Sequence, residues 1–351
     1  MSTTPTTILE RSTNSELPPE PPESTRSFAS VVVSRVLYQR EIGVITALAA
    51  LCLYGTFGTD GFASRANLLN VGQQSSLIGI MAVGMTFVII CGEIDLSVGS
   101  IYVLSSMVTG MLLQHDVPWV PAVIVGVASG AACGAVNGVL TVVLKVPSFI
   151  VTLGTLSIFR GVSLLMTNAA PISLDRDIPN IDTFSYLGTG RPFGVPMQLI
   201  VMIGIVIVGA FLLRSTRFGF HVYAVGGSRE AARLCGIPVA RIRIMSFVIL
   251  GTLSGFAGIV GLAFLLYAQG TTGTGLELVV ITAVIIGSAA LFGGSGRMLG
   301  TLVGVLLIAT LQNVLILAGI SSFWQTVVIG VVIVASVALD TWARQRRVAS
   351  R

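Results

Sequence analysis

The residues able to do chemistry in this sequence are few, and none is arranged for covalent catalysis. Arg160, in Ser157-Ile158-Phe159-Arg160-Gly161, lies inside an apolar run, where a charged side chain costs on the order of 2.5 to 3.5 kcal/mol on insertion scales. It stands about thirteen residues past Pro147, hence roughly 20 Å along a helix and towards its far end. Such an arginine snorkels to the interface, bonds carbonyls within a bundle, or offers its donors to a hydroxylated solute. Amides cluster similarly: Asn67, Asn70, Gln73 and Gln74 open one apolar run, while Asn137, Gln312 and Asn313 sit inside others. Each can bond a neighbouring helix. As an uncharged, amide-rich set they suit a neutral polar solute better than an ion, so Gln73, Gln74, Asn137, Arg160, Gln312 and Asn313 form a candidate solute pathway.

Other chemistries are excluded or weakened by what the sequence holds. Cys52, Cys91, Cys133 and Cys235 show no C-x-x-C spacing and lie mostly in apolar runs, which reads as small packing residues rather than a disulfide framework or a zinc site. His115 and His221 are far apart, so no metal centre and no cofactor is expected. The single lysine, Lys145, belongs to no G-x-x-x-x-G-K-[ST] loop, so the chain cannot itself carry a Walker-type ATP site. No paired intramembrane carboxylates and no histidine relay stand out, which argues against proton coupling.

The elements that must position these residues follow from composition. Of 351 residues, 54% are hydrophobic and 10% charged, against roughly 25% charged in soluble domains. A soluble enzyme is excluded, and an all-α polytopic membrane protein is the expected class. Residues 1–27, rich in Ser, Thr, Pro and Glu, read as a disordered cytoplasmic tail. A span needs about 20 apolar residues, and breaking the chain at charges, prolines and polar clusters yields about ten spans. Their approximate limits are 42–59, 68–92, 97–114, 119–144, 147–167, 196–213, 244–268, 276–292, 298–319 and 324–342. The eighth is short and flanked by glycines, as a broken or re-entrant segment would be. With the amino terminus inside, the inner segments hold sixteen basic residues and the outer ones three, Arg65, Arg176 and Arg191. Basic residues stay on the cytoplasmic side, so both termini are expected there: a transmembrane domain over 28–343 and a basic cytoplasmic tail over 344–351. The net charge of +5 then reports topology and calls for no nucleic acid.

Two local patterns refine this picture. Gly126, Gly130, Gly134 and Gly138 recur at four-residue spacing and line one side of a helix, which lets a neighbouring backbone approach closely, within the subunit or between subunits. Shorter versions occur at Gly251 and Gly255 and at Gly300 and Gly304. In the loop 214–243, Ser228-Arg229-Glu230-Ala231-Ala232-Arg233-Leu234-Cys235-Gly236 reads as a short helix with a serine cap and a glycine stop. It is either a knob for a cytoplasmic partner, with Leu234 and Ile237 available, or a connector lying on the bilayer.

Several blocks together resemble one family. They are Gly84-Met85-Thr86 leading to Gly92-Glu93-Ile94-Asp95-Leu96-Ser97-Val98-Gly99-Ser100, then Val146-Pro147-Ser148-Phe149-Ile150-Val151-Thr152-Leu153-Gly154-Thr155 with Arg160-Gly161. Tyr223-Ala224-Val225-Gly226-Gly227 through Ala231-Ala232-Arg233-Leu234-Cys235-Gly236-Ile237, Gly273-Thr274-Gly275-Leu276-Glu277-Leu278, and Gly293-Gly294-Ser295-Gly296-Arg297 with Gly300-Thr301 complete the set. In this order they resemble the membrane permeases of bacterial ATP-binding-cassette sugar importers of the ribose, xylose and arabinose type. The resemblance implies that importer permease fold, in the cytoplasmic membrane and in contact with its lipid. It implies a second permease copy, a cytoplasmic ATP-binding-cassette ATPase that does the hydrolysis, and an extracytoplasmic sugar-binding protein. It also implies that the loop helix is the coupling helix, through Glu230, Ala231, Ala232, Leu234, Gly236 and Ile237, and that Asp95, Leu96, Ser97 and Gly99 are the family motif. Many members carry an acidic residue where this chain has Val279 and a second glycine where it has Ser288, which bears on sugar identity. Asp95 and Ser97 could cap the following helix. A branched-chain amino acid or autoinducer-sugar permease of the same importer group is the alternative, and a secondary sugar transporter a more distant one.

Overall fold

In the computed structural model, residues 40–332 are described apart from 288, 291, 292 and 322, together with 334, 335 and 338. The tail 1–27, the start of the domain at 28, the basic tail 344–351, Ser288 and the end of the last expected span lie outside these residues. The elements in chain order are α1 (Arg40–Gly58), α2 (Arg65–Ile90), α3 (Val98–Gln114), α4 (Trp119–Val143) and α5 (Ser148–Met166), then a short strand β1 (Ile172–Ser173) and α6 (Ile181–Thr189). They continue with α7 (Met197–Ser215), α8 (Arg217–Gly227), α9 (Arg229–Leu234), α10 (Val239–Leu265), β2 (Tyr267–Ala268), α11 (Leu276–Ile286) and α12 (Met298–Leu317). Six of these, α2, α4, α5, α7, α10 and α12, are long and apolar enough to cross a membrane. Four more apolar helices are shorter, Ile42–Gly58, Val98–Gln114, Leu276–Ile286 and Phe323–Val332.

Helix limits depart from the sequence expectation mostly where a charge was taken as a break. The seventh expected span begins at 244, yet α10 begins at Val239, directly after Pro238. Arg241 and Arg243 stay helical because a helix interior tolerates arginine well and because Arg243 has a buried partner. α2 likewise starts at Arg65, its first turn capped by Ser64, whose Oγ accepts from the Asn67 N–H at 3.2 Å. The eighth segment holds only the eleven residues of α11, roughly 16 Å of helix against a hydrocarbon core of about 30 Å. The chain is therefore not wholly helical: β1 and β2 pair antiparallel, Ile172 opposite Ala268 and Ser173 opposite Tyr267. This clasp and α6, which the sequence pattern did not reveal, close the same end of the bundle.

Long, buried α2 and α10 form the centre. Gly126, Gly130, Gly134 and Gly138 all face inward and meet α10 or α3: a Cβ on Gly134 would overlap the Phe247 carbonyl, and one on Gly130 would strike Gly251 and Gly255. The glycine seam thus lies within the subunit, and the α10 pair Gly251 and Gly255 is its other half. α12 joins α2 through polar bonds instead. Thr86 and Thr301 hydroxyls are 2.8 Å apart, and Asn67 and Asn313 exchange two amide hydrogen bonds of 2.9 Å each.

Candidate functional site

The connector Gly92–Ser97, between α2 and α3, gathers polar contacts from four other elements, α4, α5, α9 and α10. Glu93 is 3% exposed and its Oε1 accepts from Arg229 Nη2 at 2.6 Å and from Arg243 Nε at 2.5 Å. Arg229 Nη2 also donates to the Gly92 carbonyl at 3.2 Å. Arg229 opens α9, and Arg243 lies in the second turn of α10, so a single buried carboxylate ties α9 and α10 to the end of α2. Burying one anion against two guanidinium groups is tolerable because charge-assisted bonds replace its hydration. The sequence pattern left Glu93 unassigned, since both partners lie more than a hundred residues away.

Further along the connector, the Ile94 N–H donates to Ser148 Oγ at 3.1 Å and the Leu96 N–H to Thr152 Oγ1 at 3.0 Å, binding it to α5. Asp95 is fully buried. Its Oδ1 accepts from the backbone N–H and the hydroxyl of Ser97, both at 2.7 Å, and its Oδ2 accepts from Asn137 Nδ2 of α4 at 3.0 Å. Asp95 therefore satisfies a backbone donor at the start of α3, as a capping residue does. Ser97 does not, because its hydroxyl is turned towards Asp95 and makes no cap bond. Gly99 follows where a Cβ would overlap the Gly273 carbonyl and Glu277, so a side chain there would push α3 and α11 apart.

The segment α8–α9 is anchored by its other residues. A Cβ on Gly226 would overlap the Ile90 carbonyl, which itself accepts from the Gly294 N–H at 2.9 Å. Tyr223 donates its hydroxyl to the Gly296 carbonyl at 2.7 Å. Burial pushes the Tyr223 phenol up, against the opposing pull of Arg297, so it remains a donor at neutral pH. In α9, Ser228 Oγ accepts from the Ala231 N–H at 3.2 Å. Gly236, at φ +77°, and Ile237 close the other end by donating to the Arg233 and Ala232 carbonyls. That is the double bond pattern of a left-handed glycine stop. Ala232 is buried and Ile237 half-buried, while Glu230, Ala231, Cys235 and Gly236 are exposed and Leu234 is 85% exposed.

A second polar cluster lies between α5 and the start of α11. Arg160 Nη1 donates to the Thr274 hydroxyl, which in turn donates to the Thr271 carbonyl at 2.7 Å. Glu277 Oε1 accepts from the Gly275 N–H at 3.1 Å. Among the described residues, Arg160 Nε and Nη2 and Glu277 Oε2 are buried without a hydrogen-bond partner, as are Asn137 Oδ1 and Thr167 Oγ1 elsewhere.

The six expected pathway residues are thus not brought together. Asn137 gives its amide to Asp95 and to Ser97 Oγ, and Asn313 exchanges bonds with Asn67. Gln73 and Gln312 are half-buried and Gln74 is exposed. Val279, where the resemblance marks a departure, is buried in α11. A crevice of about 420 Å³ between α2, α7 and α10 is lined by groups such as Val83, Phe87, Val208 and Leu253, with Thr252 its one hydroxyl, and gives a polyol almost nothing to bond.

Residues 67–337 match the sequence model of the family described as branched-chain amino acid transport system / permease component. The chain belongs to this permease family. The permease is also 42% identical over 298 residues, 85% of its length and 92% of the relative's, to the ribose import permease protein of Escherichia coli. The corresponding protein of Bacillus subtilis is 40% identical over 301 residues, covering 86% of this chain and 92% of the relative. The D-allose transport system permease protein of Escherichia coli is 35% identical over 307 residues, covering 87% and 92%. No solved structure matches the permease. Its apolar helices and this family make it a multi-pass membrane protein and a transporter subunit rather than an enzyme.

Proposed function

We propose that the chain is the membrane-spanning subunit of an ATP-binding-cassette importer that carries a monosaccharide, pentose-like in size, across the bacterial inner membrane. The observation that carries this reading is the similarity to ribose and allose permeases over at least 85% of this chain and 92% of theirs. The transmembrane domain runs over 28–343, with cytoplasmic tails over 1–27 and 344–351. Six long and four shorter apolar helices together make ten membrane segments, α11 spanning in part, with both termini in the cytoplasm.

Transport proceeds by alternating access, in which partner ATPases drive a switch between outward and inward openings. The coupling loop is 214–243, and α9 is the helix that enters the ATPase, with Glu230 and Leu234 forming its exposed knob and Ala232 and Ile237 holding it to the permease. The Glu93 pairs support this role, because a force on α9 reaches α10 and the family motif Asp95-Leu96-Ser97 with Gly99 through charge-assisted bonds rather than through a mobile loop. A second permease copy, a cytoplasmic ATPase pair and an extracytoplasmic sugar-binding protein complete the importer. Arg160 is the pathway residue that the cluster at Thr274 favours over the amides bonded elsewhere.

Reconstitution with its ATPase and sugar-binding protein tests the reading. Uptake of D-ribose or D-allose is expected, and the triple variant Glu230→Ala, Leu234→Ala, Ile237→Ala is expected to keep folded dimer while losing binding-protein stimulation of ATP hydrolysis. Full stimulation and normal uptake in the triple variant would reduce α9 to a connector. The family description favours one other reading, import of branched-chain amino acids, which uptake of leucine in place of either sugar would establish.

A further inference from the structure

We infer that Arg160, Thr274 and Glu277 form the intramembrane station at which the permease holds the hydroxyl groups of its passing solute, with Glu277 as the acceptor. The inference rests on the sugar reading above and adds a site to it. Its first support is depth. Ser148 is bonded to the connector Gly92–Ser97, and Arg160 stands twelve residues further, roughly 18 Å along α5. The start of α11 stands beside the first turn of α3, where a Cβ on Gly99 would meet the Gly273 carbonyl and Glu277, and Thr274 joins it to Arg160. A side chain about 18 Å along a span lies inside a hydrocarbon core about 30 Å thick, where broken helices of transporters present their polar groups to substrate.

The second support is the set of unspent bonds. Arg160 commits Nη1 to Thr274 and leaves Nε and Nη2 buried without partners, while Glu277 commits Oε1 to its own helix and leaves Oε2 without one. Nε–H and Nη2–H are the parallel donor edge with which a guanidinium grips two oxygens at once. A free carboxylate oxygen is the matching acceptor for a hydroxyl proton. Two neighbouring hydroxyls of a sugar accept from the first and donate to the second, and a neutral polyol leaves the opposite charges of Arg160 and Glu277 to balance each other. A buried polar group without a partner is costly, so a ligand that supplies the missing partners is favoured here, whereas Asn67 and Asn313 spend their amides on each other.

The test uses the full importer in proteoliposomes, measuring D-ribose and D-allose uptake, ATP hydrolysis stimulated by loaded binding protein, and dimer yield. Glu277→Gln, Arg160→Lys and Thr274→Val each preserve size closely. The expected result is a roughly tenfold or greater loss of uptake with dimer yield and stimulated hydrolysis retained, because the contact with the ATPase is on the far side of the Glu93 hub. Unchanged uptake in Glu277→Gln and Arg160→Lys overturns the inference, and loss of folded dimer in all three variants assigns the cluster to packing and overturns it equally. A wild-type importer that takes up neither sugar overturns the sugar reading, and this site with it.

Discussion

Glu93 shows how one side chain can matter beyond its size. Its two arginines differ in setting: Arg243 is 14% exposed and Arg229 46% exposed. Water screens an exposed pair, leaving it about 1 kcal/mol or less, whereas removing one partner of a buried pair costs about 3 kcal/mol or more. Arg243→Gln is therefore expected to lower the thermal unfolding midpoint of the detergent-purified permease clearly, and Arg229→Gln only slightly. Equal midpoints for the two variants would contradict the burial argument. Glu93→Gln leaves both arginines facing a neutral amide, and its effect on unfolding should equal or exceed that of Arg243→Gln.

At the scale of elements, the α4–α10 seam brings two helix backbones into direct contact. Gly134 faces the Phe247 carbonyl with no room for a Cβ, while Gly154 on α5 has no neighbour within 4 Å. Gly134→Leu is expected to abolish recovery of monodisperse protein in size-exclusion chromatography, because two backbones in contact cannot rotate a side chain aside. Gly154→Ala should be recovered at the wild-type level, and it gains helix propensity of about 1 kcal/mol. A well-behaved Gly134→Leu protein would mean that the two helices part easily. Helix α9 is an element of another kind: six residues cannot be stable alone, so its two caps and the Arg229 pair hold its shape.

For the whole molecule, the testable quantity is orientation. In the proposed topology, drawn from the sixteen-to-three division of basic residues, the 214–243 loop is cytoplasmic, and Cys235 is the one exposed cysteine of the four. A membrane-impermeant maleimide is expected to label Cys235 in inside-out vesicles and to leave it unlabelled in intact spheroplasts, with weaker labelling once the ATPase is bound. Labelling from the periplasmic side would invert the topology. The isolated permease is further expected to retain no ATP analogue at stoichiometric level in photolabelling, since its sequence has no phosphate-cradling loop.

Composition and hydrophobic run length alone determined the class of this protein, the rough position of nearly every apolar helix and the small residues of the α4 seam. Such signals are local, and lipid demands them of every span. The Ser228 cap and the Gly236 stop of α9 were legible for the same reason, since capping acts over three or four residues. The identity of partners was not legible. Glu93 meets Arg229 and Arg243, Asn137 meets Asp95, and Arg160 meets Thr274, across 136, 150, 42 and 114 residues. No periodicity encodes pairings at that range. An amide inside an apolar run looks the same whether it faces a solute or another helix, and only the tertiary structure decided that Asn67 and Asn313 spend their bonds on each other while Arg160 and Glu277 keep some in reserve.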